Sequence, residues 1–337
     1  MKLILLALSV LVLPLVAAAH EVYVLSAQEV ASAMTVPALS PWPVMMANFS
    51  QFMFWGFVTA IVLSTVFAMS ISHRLEMWCA PTLLRMKKYA PLSIRIGLGA
   101  SLILGVYSGA FLGPELPLDP TFGTFTLYVQ ALLFVVGVLI LLERALPLAA
   151  SLILVILGVY AVGYGSYVLT YIDFIGAALF VGLEGVEWLR GRSPILYRLG
   201  IRLAPYRWPI LRVAFGLSVM YASLYAKFLH NSLAHAVVAK YDLTSYGIFS
   251  AFSPEFLVLG AGIIELLAGA LLVLGIEVRH TSAFLAFWLT LSLLFFQEAV
   301  WPHAILFGLG IGFILYGYDR YSLEGYFFKK GRREPVL

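Results

Sequence analysis

The chain has 337 residues, of which 62% are hydrophobic and 11% charged, with 24 Phe, 18 Tyr and 7 Trp. Soluble domains average roughly 45–50% apolar and 25% charged residues, so a soluble globular domain is excluded and the lipid bilayer is the partner implied for the excess apolar surface. The net charge of +4 is modest and its basic residues sort into a topology signal, which leaves no nucleic-acid patch; the one cysteine, Cys79, excludes an intramolecular disulfide, a CxxC redox motif and a thiolate-rich metal cluster.

Lys2 precedes an apolar run over 3–16, and Ala17, Ala18 and Ala19 then supply the small residues a signal peptidase recognises. The run is about 14 residues, short of the ~20 that cross a hydrocarbon core of ~30 Å. This predicts a cleaved signal peptide over 1–19 and His20 as the mature N-terminus outside the membrane. Residues 20–48 form a short outer segment, too small to build a core. Nine later segments are long and apolar enough to span, at about 49–71, 96–113, 123–142, 148–168, 170–189, 210–230, 254–275, 282–300 and 302–318. With the N-terminus outside, every basic residue except Lys2, Lys227 and Lys240 falls on the inner side. Glu115, Asp119, Asp242 and Glu255 fall outside, which is the positive-inside pattern of a prokaryotic plasma-membrane protein with a cytoplasmic C-terminus.

The fold class this predicts is an all-α polytopic membrane protein. One transmembrane helix with a basic inner loop (49–91) precedes two parallel four-helix units (92–189 and 208–318), which a basic inner linker (190–207) joins. A basic inner tail (319–337) follows. The units read as an internal repeat. Arg95, Gly99 and Ser101 align with Arg212, Gly216 and Ser218 in the first span of each unit, and Gly137 aligns with Gly269 in the second. Small residues of this kind allow close helix approach in lipid, where packing rather than water exclusion joins helices. General likeness between Leu- and Gly-rich helices is the competing explanation.

Ionisable groups inside a span cost about 2.5–3.5 kcal/mol on insertion scales and point to function. Ser253, Pro254 and Glu255 read as a helix start, so Glu265 lies ~16 Å deep, near the midplane. Lys227 lies ~22 Å from the inner face, placed to reach inward to Glu265 or outward to water. At the same outer level are His230, Asn231, His235, Gln297, Glu298 and His303. The first unit has Ala110, Leu133 and Asp173 where the second has Lys227, Glu265 and His303, so it reads as scaffold. The plainer reading pairs Lys227 with Glu265 only to hold helices, leaves the histidines solvated or bonded to backbone, and makes Glu298 a wet helix end.

The stretches LRVAFGLSVMYASLYAKFL and IIELLAGALLVLG, with Lys227 and Glu265, resemble the DoxX family over about 208–318, and 92–189 resembles a degenerate second copy. The resemblance implies four-helix membrane units, some of which are subunits of thiosulfate:quinone oxidoreductase or partners of redox enzymes. The four-helix form also resembles vitamin K epoxide reductase and the disulfide-forming quinone enzymes, but their mechanism needs cysteine pairs that this chain lacks.

Three functions follow as expectations. The first is a quinone-linked or redox-complex-associated subunit, catalytic or accessory, with Glu265 protonating quinone, His303 and Glu298 relaying protons outward, Lys227 setting the charge, and Gln297 and His230 beside the ligand. The second is a small-solute or ion transporter, and the third a structural or assembly protein without chemistry. A terminal His20 also offers a bidentate nitrogen chelate for copper, with Met34, Met45 and Met46 on the same side.

Overall fold

The computed structural model describes residues 25, 27–38, 40, 43, 46, 52–247, 250, 252–296 and 301–329. It is 86% helical and has no strand among those residues. The expected signal peptide over 1–19 and His20 lie outside the described residues. The helices are α1 (Ala27–Thr35), α2 (Phe52–Met86), α3 (Ala90–Tyr107), α4 (Leu118–Phe122), α5 (Thr126–Leu141), α6 (Leu146–Tyr164) and α7 (Ile172–Glu184). After them come α8 (Pro194–Leu203), α9 (Arg207–Ser223), α10 (Asn231–Lys240), α11 (Pro254–Leu274), α12 (Val278–Phe296) and α13 (Ala304–Tyr316).

Six stretches are long and apolar enough to cross a membrane: Trp78–Tyr107, Leu118–Leu141, Leu146–Glu184, Pro194–Leu229, Pro254–Leu274 and Val278–Phe296. Val58–Phe67 and Trp301–Tyr316 are shorter apolar helices. The 39-residue stretch Leu146–Glu184 holds two of the expected spans, because a 3-10 turn over Gly165–Tyr171 reverses the chain. Gly182 then faces Ala150 and Gly185 faces Leu146, so α6 and α7 lie antiparallel.

Two segments read as basic loops are helical. Helix α2 continues through Arg74 and Pro81 to Met86, since the Leu, Met, Arg and Glu of this stretch are strong helix formers. In the linker, Pro194 occupies the first turn of α8, where a missing N–H costs no helical bond. Its PILYRLGIRL sequence leaves Ile195, Leu196 and Leu199 exposed as the apolar side of an amphipathic helix.

Helix packing follows a closed order. Helix α3 packs on α5, α5 on α6, α6 on α7, α7 on α9, α9 on α11, α11 on α12, α12 on α13, and α13 back on α3. Two of these junctions are alike. Gly99 and Gly137 meet across α3 and α5, and Gly216 and Gly269 meet across α9 and α11; a Cβ on any of the four would press on its partner's carbonyl oxygen. The turns after the second helix also match, because left-handed residues fall six and eight positions beyond each glycine, at Glu143 and Ala145 and at Gly275 and Glu277.

Arginines anchor the same end of both halves. Arg95 pairs with Glu143 just after α5 and lies 3.7 Å from Glu184 at the end of α7. Arg212 pairs with Asp319 at 2.9 Å and donates to the Leu272 and Val273 carbonyls at the end of α11 at 2.5 and 2.6 Å. A guanidinium offers five donors and suits both a carboxylate and the carbonyls a helix end leaves open.

Valine at Gly216 or Gly269 would force α9 and α11 apart. It is expected to cost about 1–3 kcal/mol, read as a lower thermal midpoint in detergent, whereas valine at Gly158, with no atom within 4 Å of its added Cβ, should leave the midpoint almost unchanged.

Candidate functional site

Helix α11 starts where the sequence places it. Pro254 sits in its first turn and the Ser253 hydroxyl accepts from the Phe256 amide at 3.2 Å, an N-cap. Glu265 is thereby set ~16 Å along the helix and is buried. Its partner comes from α9, which ends in a π-helical turn over Leu224–Leu229. Such turns insert an extra residue and re-aim side chains. Lys227, in that turn, brings Nζ to 3.0 Å from Glu265 Oε2, with both side chains almost wholly buried. The Ser223 hydroxyl donates to the Gly262 carbonyl at 3.0 Å, fixing α9 against α11 one turn from the pair.

Glu265 lines a cavity of about 160 Å³ that is open on one side and bordered by α7, α9, α11, α12 and α13. Asp173, at the start of α7, lines it and is 3% exposed; His303, immediately before α13, lines it and is 1% exposed. The Ser218 hydroxyl on α9 lies 2.9 Å from Asp173 Oδ1 and 2.6 Å from the Thr170 carbonyl, and so donates to one or the other. Glu115, from the turn between α3 and α4, reaches the same cavity, where the Tyr167 and Tyr171 hydroxyls donate to its Oε1, the former at 3.3 Å. Tyr225 completes the polar lining, while Phe174, Phe215, Trp288, Leu285, Leu289 and Leu306 make the rest apolar.

Of the residues singled out from sequence, Glu265 and His303 line the cavity and Lys227 stands behind Glu265 as its ion-pair partner. His230 is not in the lining; its ring lies tilted against that of Tyr225, with centroids 4.4 Å apart. Gln297, Glu298 and His20 lie outside the described residues. Among the described residues, no three His, Cys, Asp or Glu side chains are grouped to hold a metal ion.

The first half of the chain also takes part, which the scaffold reading did not foresee. Because α7 packs on α9, the start of the first half's last helix lies beside the second half's first helix. Asp173, Tyr167, Tyr171 and Glu115 are thus delivered to a cavity they share with Glu265 and His303. The rule that flagged Glu265, an acid inside an apolar span, applies equally to Asp173. No signal of that kind marks Glu115, which reaches the cavity from a turn.

No family model, curated protein or solved structure matches the chain.

Two predictions follow from this geometry. Lys227→Met leaves a buried carboxylate without its cation and should cost about 3–5 kcal/mol, whereas the double variant Lys227→Met/Glu265→Gln should recover most of it; a double-mutant cycle on thermal unfolding measures the difference. On α10, outside the crossings, burial pushes the His235 imidazole below its ordinary range, with Glu255 opposing. The unfolded chain therefore takes up the proton first, and stability should fall as pH drops below about 6.5. His235→Gln should flatten that slope in unfolding titrations.

Proposed function

We propose that the chain is an integral membrane protein of nine crossings, in which one helix precedes two parallel DoxX-like units, and that the cavity between the units binds a quinone head group and exchanges protons with it on behalf of a redox partner. In this reading the units arose by duplication. The aligned glycine pairs, the matched left-handed turns and the anchoring arginines support that part.

The observation that carries the functional part is one cavity that gathers three carboxylates, an imidazole and three phenols inside an otherwise apolar bundle. These residues fit a quinone. Ser218, the phenols and His303 offer hydrogen bonds for ring oxygens, and Phe174, Phe215 and Trp288 offer flat apolar surface for the ring. A quinone, when bound, supplies a two-electron, two-proton couple. The protein's own part is to position the ring, exclude water, and hold protons at Glu265, Asp173 and His303. Lys227 sets the charge at Glu265.

Access also favours a lipid-soluble ligand. Helix α12 forms one wall, with Phe287, Leu291 and Leu294 exposed and Leu285, Trp288 and Leu289 on the cavity side. A ligand with an isoprenoid tail enters past such a wall from the bilayer. A transporter is the second reading, favoured by the position of the cavity at the interface of two parallel units; it predicts solute flux into liposomes without a redox partner. The membrane is taken to be a prokaryotic plasma membrane, with the N-terminus outside and the C-terminus cytoplasmic.

Decylubiquinone binding to the full chain in nanodiscs tests the first reading. Glu265→Gln and Asp173→Asn are each expected to weaken binding about 10–100-fold, the range for a hydrogen bond involving a charged group. Wild-type affinity in both variants, or no binding to the native chain, would refute it.

A further inference from the structure

Helix α8 joins the two halves, between the end of α7 at Glu184 and the start of α9 at Arg207. The stretches on either side of this connection are apolar enough to cross a membrane. The helix itself is held mainly on one side. It packs on the 3-10 turn Val186–Leu189, where a Cβ on Gly200 would fall on the Val186 side chain. Ile195, Leu196, Leu199 and Leu203 share another face by their helical spacing, and all four are exposed, Ile195 by 80%.

The charges beside this face are of one sign. Arg198 and Arg202 stand three residues beyond Ile195 and Leu199, which sets them along its border, and both are exposed. No acidic side chain pairs with either among the described residues. Between 190 and 207 the chain carries five arginines and no acid. Just before α8 the Arg192 guanidinium lies 4.4 Å from the centroid of the Trp188 ring, and an indole carrying a cation suits the head-group level of a bilayer.

We infer that α8 lies in the plane of the membrane interface, with its apolar face among acyl chains and its bordering arginines on the phosphates of anionic phospholipids. This goes beyond the proposed function and is independent of what the cavity binds. Charge complementarity and the spanning stretches on both sides favour lipid as the cover. A guanidinium donates in a fork that matches phosphate oxygens, and a basic amphipathic helix gains both from apolar burial at the acyl boundary and from attraction to anionic head groups. Area argues against a second copy of the chain. At ~15 Å long and ~10 Å across, the helix offers a face of roughly 150 Å², against the ~800 Å² per partner that a stable interface buries.

A fluorescent label at the exposed face tests this. The full chain carrying Cys79→Ser and Ile195→Cys is labelled with the environment-sensitive dye NBD in nanodiscs of phosphatidylcholine and phosphatidylglycerol, one or the other brominated in its acyl chains; Leu199→Cys serves if the first variant does not fold. Both brominated lipids should quench the label and aqueous iodide should not. Phosphatidylglycerol is expected to associate about 5-fold more strongly than phosphatidylcholine, what one arginine near an anionic surface contributes. Arg198→Gln/Arg202→Gln should bring the two lipids to near equality, while Arg198→Lys/Arg202→Lys should keep most of the preference. Equal quenching by both lipids in the parent, or a preference unchanged by the glutamines, would overturn the head-group assignment. Quenching by iodide would place the face in water, and protection from iodide without quenching by either lipid would place protein over it; each would overturn the interfacial position.

Discussion

The approach of α9 to α11 at Gly216 and Gly269 is the constraint on which the rest of the site depends. With a backbone carbonyl lying where each Cβ would stand, the two helices sit as close as a pair can. In a bilayer that contact is favourable because lipid cannot fill so narrow a seam as well as a second backbone does. Its consequence appears about three turns further along α9 and one turn back along α11. Held at that separation, α9 brings Lys227 within ion-pair distance of Glu265, and the π-helical turn supplies the rotation that α-helical geometry alone would lack. A wider seam would leave a carboxylate alone in an apolar core, which is the costly case for a buried charge.

Much of this was legible in the sequence because it depends on spacing along single helices. Counting from the Ser253 cap placed Glu265 at its depth, and counting from Arg212 placed Lys227 near the same level. Aligning the two halves picked out the glycines that meet in pairs and the arginines that anchor one end. The cavity itself was not legible. Its composition depends on which helices become neighbours, and the decisive contact, α7 on α9, joins segments whose sequences carry no mark of it. Asp173 was seen only as the counterpart of His303, yet the two line one cavity. The basic linker was misread for a different reason. Its basic residues suggested a connecting linker, whereas Pro194 sits at a helix start, and the apolar residues at 195, 196, 199 and 203 already follow a helical period.

The closed order of helix contacts gives a physical reason for the site to be shared. A four-helix unit standing alone would expose the outer side of its first helix. Here the last helix of each half covers the first helix of the other, α7 on α9 and α13 on α3. The serines at equivalent positions show the exchange at atomic scale. Ser101 accepts from the Ile305 amide at the start of α13, while Ser218 lies against Thr170 and Asp173 at the start of α7. Each half therefore satisfies polar groups at the start of the other's last helix.

This exchange also lets the first half contribute to the cavity without a counterpart of the Lys227–Glu265 pair. At the positions aligned with Lys227 and Glu265 the first half has Ala110 and Leu133, both buried, and so no such pair between its first two long helices. Its contribution is Asp173, Tyr167 and Tyr171, which line the cavity shared with the second half, and Glu115, on the turn between α3 and α4. Within the first half Ala110 and Leu133 are apolar and buried, whereas Glu115, Tyr167, Tyr171 and Asp173, which line the shared cavity, carry polar groups. The distribution of acids and phenols around the cavity follows that division.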